Sequence, residues 1–276
     1  MTHQPFSIAI SVYKNDSPEF FDRALESITD LQTVKPDEIV LVIDGPVSDE
    51  IDAVIEKYAP RYTFNIIRLK TNGGLGNALK LAIENAKYDL IARMDSDDIA
   101  VPNRFELQLA FFNKNPKVDV CGGNISEFIQ NENNIIGFRN VPTSNKDIRK
   151  FIKKRCPFNH MTVMFKKDSV IKCGGYLDFY FNEDYYLWIR MLLNNSIFSN
   201  LPVVLVNVRT GIEQYQRRGG LKYYKSEKKL QKMMLKNGII SCPLFLCNCM
   251  KRFIVQVLLP PKLRGYLLRK VARTKK

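Results

Sequence analysis

Strand and helix signals alternate through the first half of the chain, and that alternation restricts the fold more than any other feature. Phe6–Val12 (FSIAISV) is an unbroken apolar run of strand length. Ser17-Pro18-Glu19 then opens a helix with a capping hydroxyl, a first-turn proline and an acid, and Phe21, Leu25 and Ile28 follow at helical spacing. Glu38–Ile43 (EIVLVI) predicts a second strand that ends at Asp44-Gly45-Pro46, and Ser48 caps a helix running to Tyr58. Residues 63–69 predict a third strand, and Asn72-Gly73-Gly74 turns into a helix carrying Leu75, Leu79, Ala82 and Ile83. Residues 88–94 predict a fourth strand, ending at Asp95-Ser96-Asp97-Asp98. Such a pattern dictates an α/β fold, a mostly parallel sheet with right-handed crossovers flanked by helices. Ligands of such sheets bind at the carboxyl ends of the strands. Those ends read 13–16, Asp44, Asn72 and 95–98 here, and three of the four carry carboxylates.

The second half is less regular. Residues 118–129 and 135–141 predict a hairpin across an Asn-rich turn, residues 161–165 a short strand, and Cys173-Gly174-Gly175-Tyr176 a turn. Glu183–Leu193 predicts an amphipathic helix, residues 201–208 a strand, and residues 221–236 a basic helix after Gly219-Gly220. The expected organisation is a body over residues 1–220, with halves 1–117 and 118–220, followed by a basic helical segment over 221–276.

Charge supports that division. The 276 residues carry a net +14, yet residues 217–276 hold 17 of the 42 Lys and Arg and a single acid, Glu227. That segment nets +16 and the remainder −2. A near-neutral body with a basic end points to an anionic surface, membrane or nucleic acid. Hydrophobic content of 45% and charged content of 25% exclude disordered, collagenous and coiled-coil chains. The six cysteines form no C-x-x-C pair, which predicts reduced thiols in a cytosolic protein. MTHQP leads straight into the first strand with no signal-peptide pattern, and no segment supplies the roughly 20 apolar residues that span a bilayer.

Five groups carry chemistry. Asp95-Ser96-Asp97-Asp98 sets three carboxylates at one strand end, more than a helix cap needs, and a hard cation with oxygen ligands, Mn²⁺ or Mg²⁺, relieves their repulsion. Asp44 is placed to accept from a uracil N3–H, or is simply a turn residue before Gly-Pro. Asn72-Gly73-Gly74-Leu75-Gly76-Asn77 lets backbone approach a phosphate or ribose, but its spacing and place after the third strand argue against a dinucleotide fingerprint. Glu183-Asp184 at a helix start is either a general base or a pair favoured by the helix dipole. Arg209, with Gln214, Arg217 and Arg218, is either a diphosphate clamp or the start of the basic segment. His160, in a polar loop, lines an acceptor site or is a satisfied structural histidine.

In order and spacing these motifs, with Ser11-Val12-Tyr13 and Gly174-Gly175-Tyr176, resemble family 2 glycosyltransferases of the Rossmann-like GT-A fold over roughly residues 6–220. Bacterial enzymes of capsule, exopolysaccharide and O-antigen assembly, of the amylovoran-biosynthesis type, are the nearest in pattern. The resemblance implies that Ser11, Val12, Tyr13, Asp44, Asn72, Gly73, Asn77 and Ser96 bind the nucleotide sugar. Asp95 and Asp97 form the D-x-D pair at ribose and metal-diphosphate. Asp184 is the base with Glu183 as its alternate, Arg209, Arg217 and Arg218 meet the diphosphate, and His160 and Trp188 meet the acceptor. Gln214-Tyr215-Gln216-Arg217-Arg218 lacks the Trp of processive polymerases, which implies addition of a single sugar. The implied reaction moves one sugar, with inversion to a β-linkage, from a UDP-sugar, with galactose favoured, to a lipid-diphosphate-linked saccharide.

Residues 253–259 and 262–273 read as short helices split by Pro260-Pro261, the second with Leu263, Tyr266, Leu267 and Val271 on one face and basic residues beside it, the pattern of an interfacial helix. The expected location is therefore cytoplasmic, held peripherally on the inner face of the cell membrane, with no nucleic-acid partner. Two other readings compete with it. A nucleotidyltransferase would place glycines directly after the first strand, where Tyr13-Lys14-Asn15-Asp16 stands. A nucleic-acid-binding protein would leave the three aspartates unexplained.

Overall fold

β1 (Phe6–Val12), β2 (Glu38–Ile43), β3 (Phe64–Arg68) and β4 (Leu90–Met94) lie parallel in the order β3-β2-β1-β4. They are joined by α1 (Pro18–Ile28), α2 (Asp49–Tyr58) and α3 (Leu75–Asn85). The computed structural model describes residues 3–211, 219–260 and 263–264. The α1 cap is as expected: Ser17 Oγ accepts from Phe20 N at 3.4 Å. β4 starts two residues later than its apolar pattern, because nearby amides are taken by side chains: Lys87 N donates to Glu38 Oε2 (2.8 Å) and Tyr88 N to Ser7 Oγ (3.2 Å).

The parallel block is covered on both faces, which is why its strands read as unbroken apolar runs. Phe6, Ile8, Ile10 and Val12 of β1 join one core with α1, α2 and α4 (Arg104–Lys114), whereas Ala9 joins the other with α3 and α7 (Glu183–Leu193). A strand side chain alternates faces at every residue, so one strand feeds both cores.

Past β4 the sheet becomes mixed. β8 (Met164–Lys166) is antiparallel to β4, and β6 (Val120–Phe128) is antiparallel to β8. β9 (Phe198–Arg209) is parallel to β6, and the two-residue β5 (Ile99–Ala100) closes the order on β9. The expected hairpin is present as β6 and β7 (Ile135–Arg139), antiparallel with a register shift at Glu127/Phe128. Two short helices, α5 (Asn145–Phe151) and α6 (Lys167–Lys172), were not legible in the sequence. The strand expected over 161–165 is displaced. His160–Thr162 forms a 3₁₀ turn and the strand begins only at Met164. Thr162 Oγ1 donates to Asn159 O at 2.7 Å, the local side-chain bond by which threonine draws backbone out of a ladder.

The basic helix forms as α8 (Gly220–Lys236), and it packs on the body: Leu230 and Met234 are buried in the same core as Trp188. The short helix expected over 253–259 does not stand apart: it is the end of one rod, α9 (Cys242–Phe253) continued by a π-helical turn over Ile254–Leu258. The basic pair does not interrupt it because Arg252 turns inward to pair with Glu227 while Lys251 stays exposed. Apart from 263–264, the helix expected over 262–273 lies outside the described residues. Among the described residues no helix is long and apolar enough to cross a membrane. All six thiols are free.

Candidate active site

The carboxyl ends of β1, β2 and β4 and the start of α7 converge on one acidic centre. Asp95, Asp97 and Asp98 lie at the end of β4, each offering an oxygen within 4.8 Å of the others. Burial and then the charges of Asp95 and Asp16 push the Asp97 carboxyl up to about 6. Burial, with Asp97 and Asp95 next, raises Asp98 well above the usual carboxylate range. Asp98 is the innermost of the three, its Oδ1 accepting from Arg209 N at 2.9 Å. Mutual repulsion among partly buried carboxylates is the condition a hard divalent cation relieves, so this donor set fits Mn²⁺ or Mg²⁺.

Two buried guanidinium groups underlie the turn. Arg93, inside β4, reaches Asp95 Oδ1 at 2.5 Å, and its Nε and Nη1 find no acceptor among the described residues. Arg104 donates to Arg93 O at 2.7 Å and to Gln108 Oε1 at 3.2 Å, while burial and the Arg93 charge push it down to about 9, still cationic at neutral pH. Asp16, at the end of β1, completes the cluster by accepting from Tyr13 N (3.1 Å) and Ser96 Oγ (2.8 Å). Neither Arg93 nor Asp16 stood out among the sequence candidates. A charged residue at a strand position flanked by apolar neighbours was the available signal for Arg93, since arginine is seldom fully buried unless paired.

Asp44 is occupied within the chain. Its Oδ1 accepts from Gly73 N (2.6 Å), and its Oδ2 from Gly74 N (2.9 Å) and Asn72 Nδ2 (3.0 Å), leaving the residue 5% exposed. It therefore pins the Asn72–Gly74 loop to the end of β2. A side chain at Gly45, whose φ is +89°, would meet the Asn72 backbone N at 2.8 Å, so only glycine allows this approach. Asn77 is exposed and lies over Gly73. Ser11 and Tyr13 are half-buried near the cluster. Val12 differs from expectation: its side chain is in the core and its carbonyl accepts from Asp44 N at 2.8 Å, so it supports β2 and offers no ligand surface.

Glu183 and Asp184 open α7 behind the N-cap Asn182. Glu183 packs against Gly76 at the start of α3, which sets α7 against the loop held by Asp44. Burial, reinforced by the charge of Asp184, pushes the Glu183 carboxyl up to about 7. Asp184 accepts from Tyr185 N (2.6 Å) and from the Cys156 thiol (3.6 Å). Burial and the adjacent Asp184 charge push that thiol well up, so it remains protonated as a donor. His160 Nε2 lies 2.6 Å from Tyr176 Oη, and burial with the nearby Arg93 charge holds the imidazole neutral.

Trp188 is corrected from an acceptor contact to a core residue. It is 0% exposed, with its ring 5.1 Å from Phe158 and edge-on to His160 at 6.3 Å, and a ring with no open surface cannot touch an acceptor. Arg209 is held beside the cluster by two rings, its guanidinium 3.7 Å from the Phe20 centroid and 4.8 Å from that of Phe128, with Nε donating to Asp97 O at 3.3 Å. Arg217 and Arg218 lie outside the described residues.

A Rossmann-like sheet with a D-x-D turn opposite an acid pair defines a nucleotide-sugar-dependent transferase of the GT-A class. The model of glycosyl transferase family 2 matches residues 7–172, and the chain belongs to that family. It is 40% identical over 97% of its length to the UDP-Gal:alpha-D-GlcNAc-diphosphoundecaprenol beta-1,3-galactosyltransferase of Escherichia coli, covering 96% of that enzyme. It is 39% identical over 96% of its length to the amylovoran biosynthesis glycosyltransferase AmsE of Erwinia amylovora, covering 98% of it. Among solved structures it resembles the mannosyltransferase PcManGT of Pyrobaculum calidifontis in complex with GDP-Man and Mn²⁺, with a TM-score of 0.63 at 15% identity over 98% of this chain and 76% of that one. The protein is thus a glycosyltransferase, and the expected family, fold and enzyme class hold.

Proposed function

We propose that this enzyme transfers one sugar, galactose, from its UDP derivative to a hydroxyl of a lipid-diphosphate-linked saccharide in surface-polysaccharide assembly, inverting the anomeric centre to a β-linkage. The single observation that supports the reading is the nearness of the Glu183-Asp184 pair to the Asp95–Asp98 turn, close enough that the charges of Arg93 and Asp95 act on the Glu183 carboxyl. Likeness over nearly the full length to an enzyme named for UDP-Gal and a diphosphoundecaprenol acceptor supports the substrates.

Asp184 takes the proton of the acceptor hydroxyl, the oxygen forms its bond to the anomeric carbon, and the bond from that carbon to the diphosphate oxygen breaks on the opposite side. Asp95 and Asp97 would hold the divalent cation, with Asp98 behind them, and the cation supplies positive charge toward the departing diphosphate. Arg209 faces the same leaving group from the end of β9. Asp44, by fixing the Asn72–Gly74 amides, shapes the base and ribose pocket, and His160 borders the acceptor side. Cys156 orients Asp184.

A panel of nucleotide sugars with a diphosphate-lipid GlcNAc acceptor, with and without Mn²⁺, tests this reading. Turnover of UDP-galactose that requires metal and acceptor is the expected result. Turnover of another donor alone would reassign the sugar, and failure to bind any nucleotide sugar with metal present would overturn the proposal.

The acid pair gives a pH prediction. Glu183 takes up a proton as pH falls through about 7, which lowers the negative charge beside Asp184 and weakens it as a base, so kcat should decline there. Glu183→Gln removes a like charge beside Asp184 and favours the ionised base. The acid limb of the kcat–pH profile should therefore move to lower pH. A limb that stays in place would show that Glu183 takes no part in it.

A further inference from the structure

α9 and its π-helical extension bury polar residues and expose apolar ones. Asn248, Arg252 and Gln256 point inward, with Lys251 the exposed exception. Asn248 Nδ2 donates to Gln231 Oε1 (2.8 Å) and Lys153 O (3.0 Å), Arg252 pairs with the buried Glu227 and donates to Lys154 O (2.9 Å), and Gln256 is buried, its backbone carbonyl accepting from Arg264 Nη1 (3.2 Å). One apolar row points outward: Leu246, Met250 and Leu258 are 60%, 61% and 61% exposed and Phe253 and Ile254 between them are exposed too, while Leu244, Phe245 and Cys249 face the body. A surface helix in water places its apolar stripe on the core. A continuous outward apolar row marks an interaction surface.

Charge beside the row indicates what covers it. On α8, Lys222, Lys225, Lys229, Lys232 and Lys236 are all exposed at helical spacing, on the side away from the buried Leu230 and Met234. The two features adjoin, for the charges of Lys228 and Lys232 reach Cys249 of α9. Ring contacts extend the surface toward the active site. Tyr224 of α8 meets Phe253 edge-on at 5.3 Å, and Tyr223 meets Phe181 at 6.4 Å. Tyr180 and Phe181 are exposed in the loop just before Glu183, and Lys222 stands over the Tyr180 ring at 4.1 Å.

We infer that the outward face of α9 and the lysine row of α8 together dock the enzyme on an anionic lipid surface, with α9 lying in the interface plane and its apolar row among the acyl chains. The inference rests on the lipid-linked acceptor reading, and it gives the site a direction, since the docking surface runs to the rim that carries the base. A nucleic acid would engage the lysines but leave the apolar row in water. A second copy would bring one +16 segment against another.

The test is flotation of the full chain with vesicles of phosphatidylcholine, with and without phosphatidylglycerol, over a range of salt. Wild type should bind the phosphatidylglycerol vesicles and weaken as salt rises. Leu246→Gln/Met250→Gln/Leu258→Gln should lower the vesicle-bound fraction at least about tenfold, and Lys225→Glu/Lys229→Glu/Lys232→Glu should abolish the preference for phosphatidylglycerol. Hydrolysis of UDP-galactose in detergent-free solution, followed in both variants, should stay at the wild-type rate and shows that they fold. The proposal is overturned if wild type ignores both vesicles, if the apolar variant binds them as wild type does, or if that variant instead loses self-association or duplex-DNA binding with vesicle binding intact. Vesicle binding without turnover of any sugar nucleotide would fault the transferase reading alone, and turnover without vesicle binding the docking alone.

Discussion

Asp97→Asn is expected to lower kcat/KM for sugar transfer by about 10³-fold, a loss near 4 kcal/mol of transition-state stabilisation, and to remove the response to Mn²⁺. The substitution keeps the shape of the side chain but replaces an anionic oxygen, one of three within 4.8 Å, by an amide that binds a hard cation poorly. The same change should raise the stability of the metal-free protein. Asp97 has its carboxyl raised to about 6, so the folded state holds its proton at a pH where the unfolded chain has released it. Stability from this group therefore declines as pH climbs from the ordinary carboxylate range through about 6, and asparagine removes the penalty, up to about 3 kcal/mol at neutral pH. Thermal denaturation without metal and steady-state kinetics with it read the two effects separately. A variant that lost activity and also lost metal-free stability would point to a structural role for Asp97 and would remove it from the metal site.

Asp184→Asn is expected to lower kcat by 10²–10⁴-fold, the usual range for loss of a general base, while leaving donor affinity and metal dependence at wild-type levels. The asparagine retains one oxygen to accept from Tyr185 N or the Cys156 thiol, so the start of α7 should keep its place. Single-turnover transfer, with donor binding measured independently, checks both halves. Wild-type transfer in Asp184→Asn together with inactive Glu183→Gln would exchange the two roles, and full activity in both variants would place the base elsewhere.

Much of this protein is legible before any coordinates. The β1–β4 alternation, the capped α1, the hairpin β6–β7 and α7 all follow from local pattern, because each element announces itself by its own periodicity and its own start signals. The acidic strand ends follow as well, since a parallel sheet puts the carboxyl ends of its strands together whatever their sequence. The clearest misreadings came where a local signal competes with a distant one. The resemblance sets Trp188 at the acceptor, but Phe158, from another segment, takes its face. The resemblance sets Val12 in the nucleotide pocket, but its side chain is buried in the core shared with α1 and α2.

By itself the sequence determined the class of fold and the family, and it supplied the acidic residues proposed to hold a divalent cation and to move a proton, for these depend on residue type and on spacing along the chain. Tertiary structure decided how those residues are employed. Asp44 is committed to the Asn72–Gly74 amides, Arg93 lies beneath Asp95 rather than in solvent, and the residues around Lys251-Arg252 form one helix with Asn248 and Arg252 turned inward. The reason is that a carboxylate or guanidinium takes its state from whichever partners burial brings within a few ångströms, and those partners come from segments far apart in the chain.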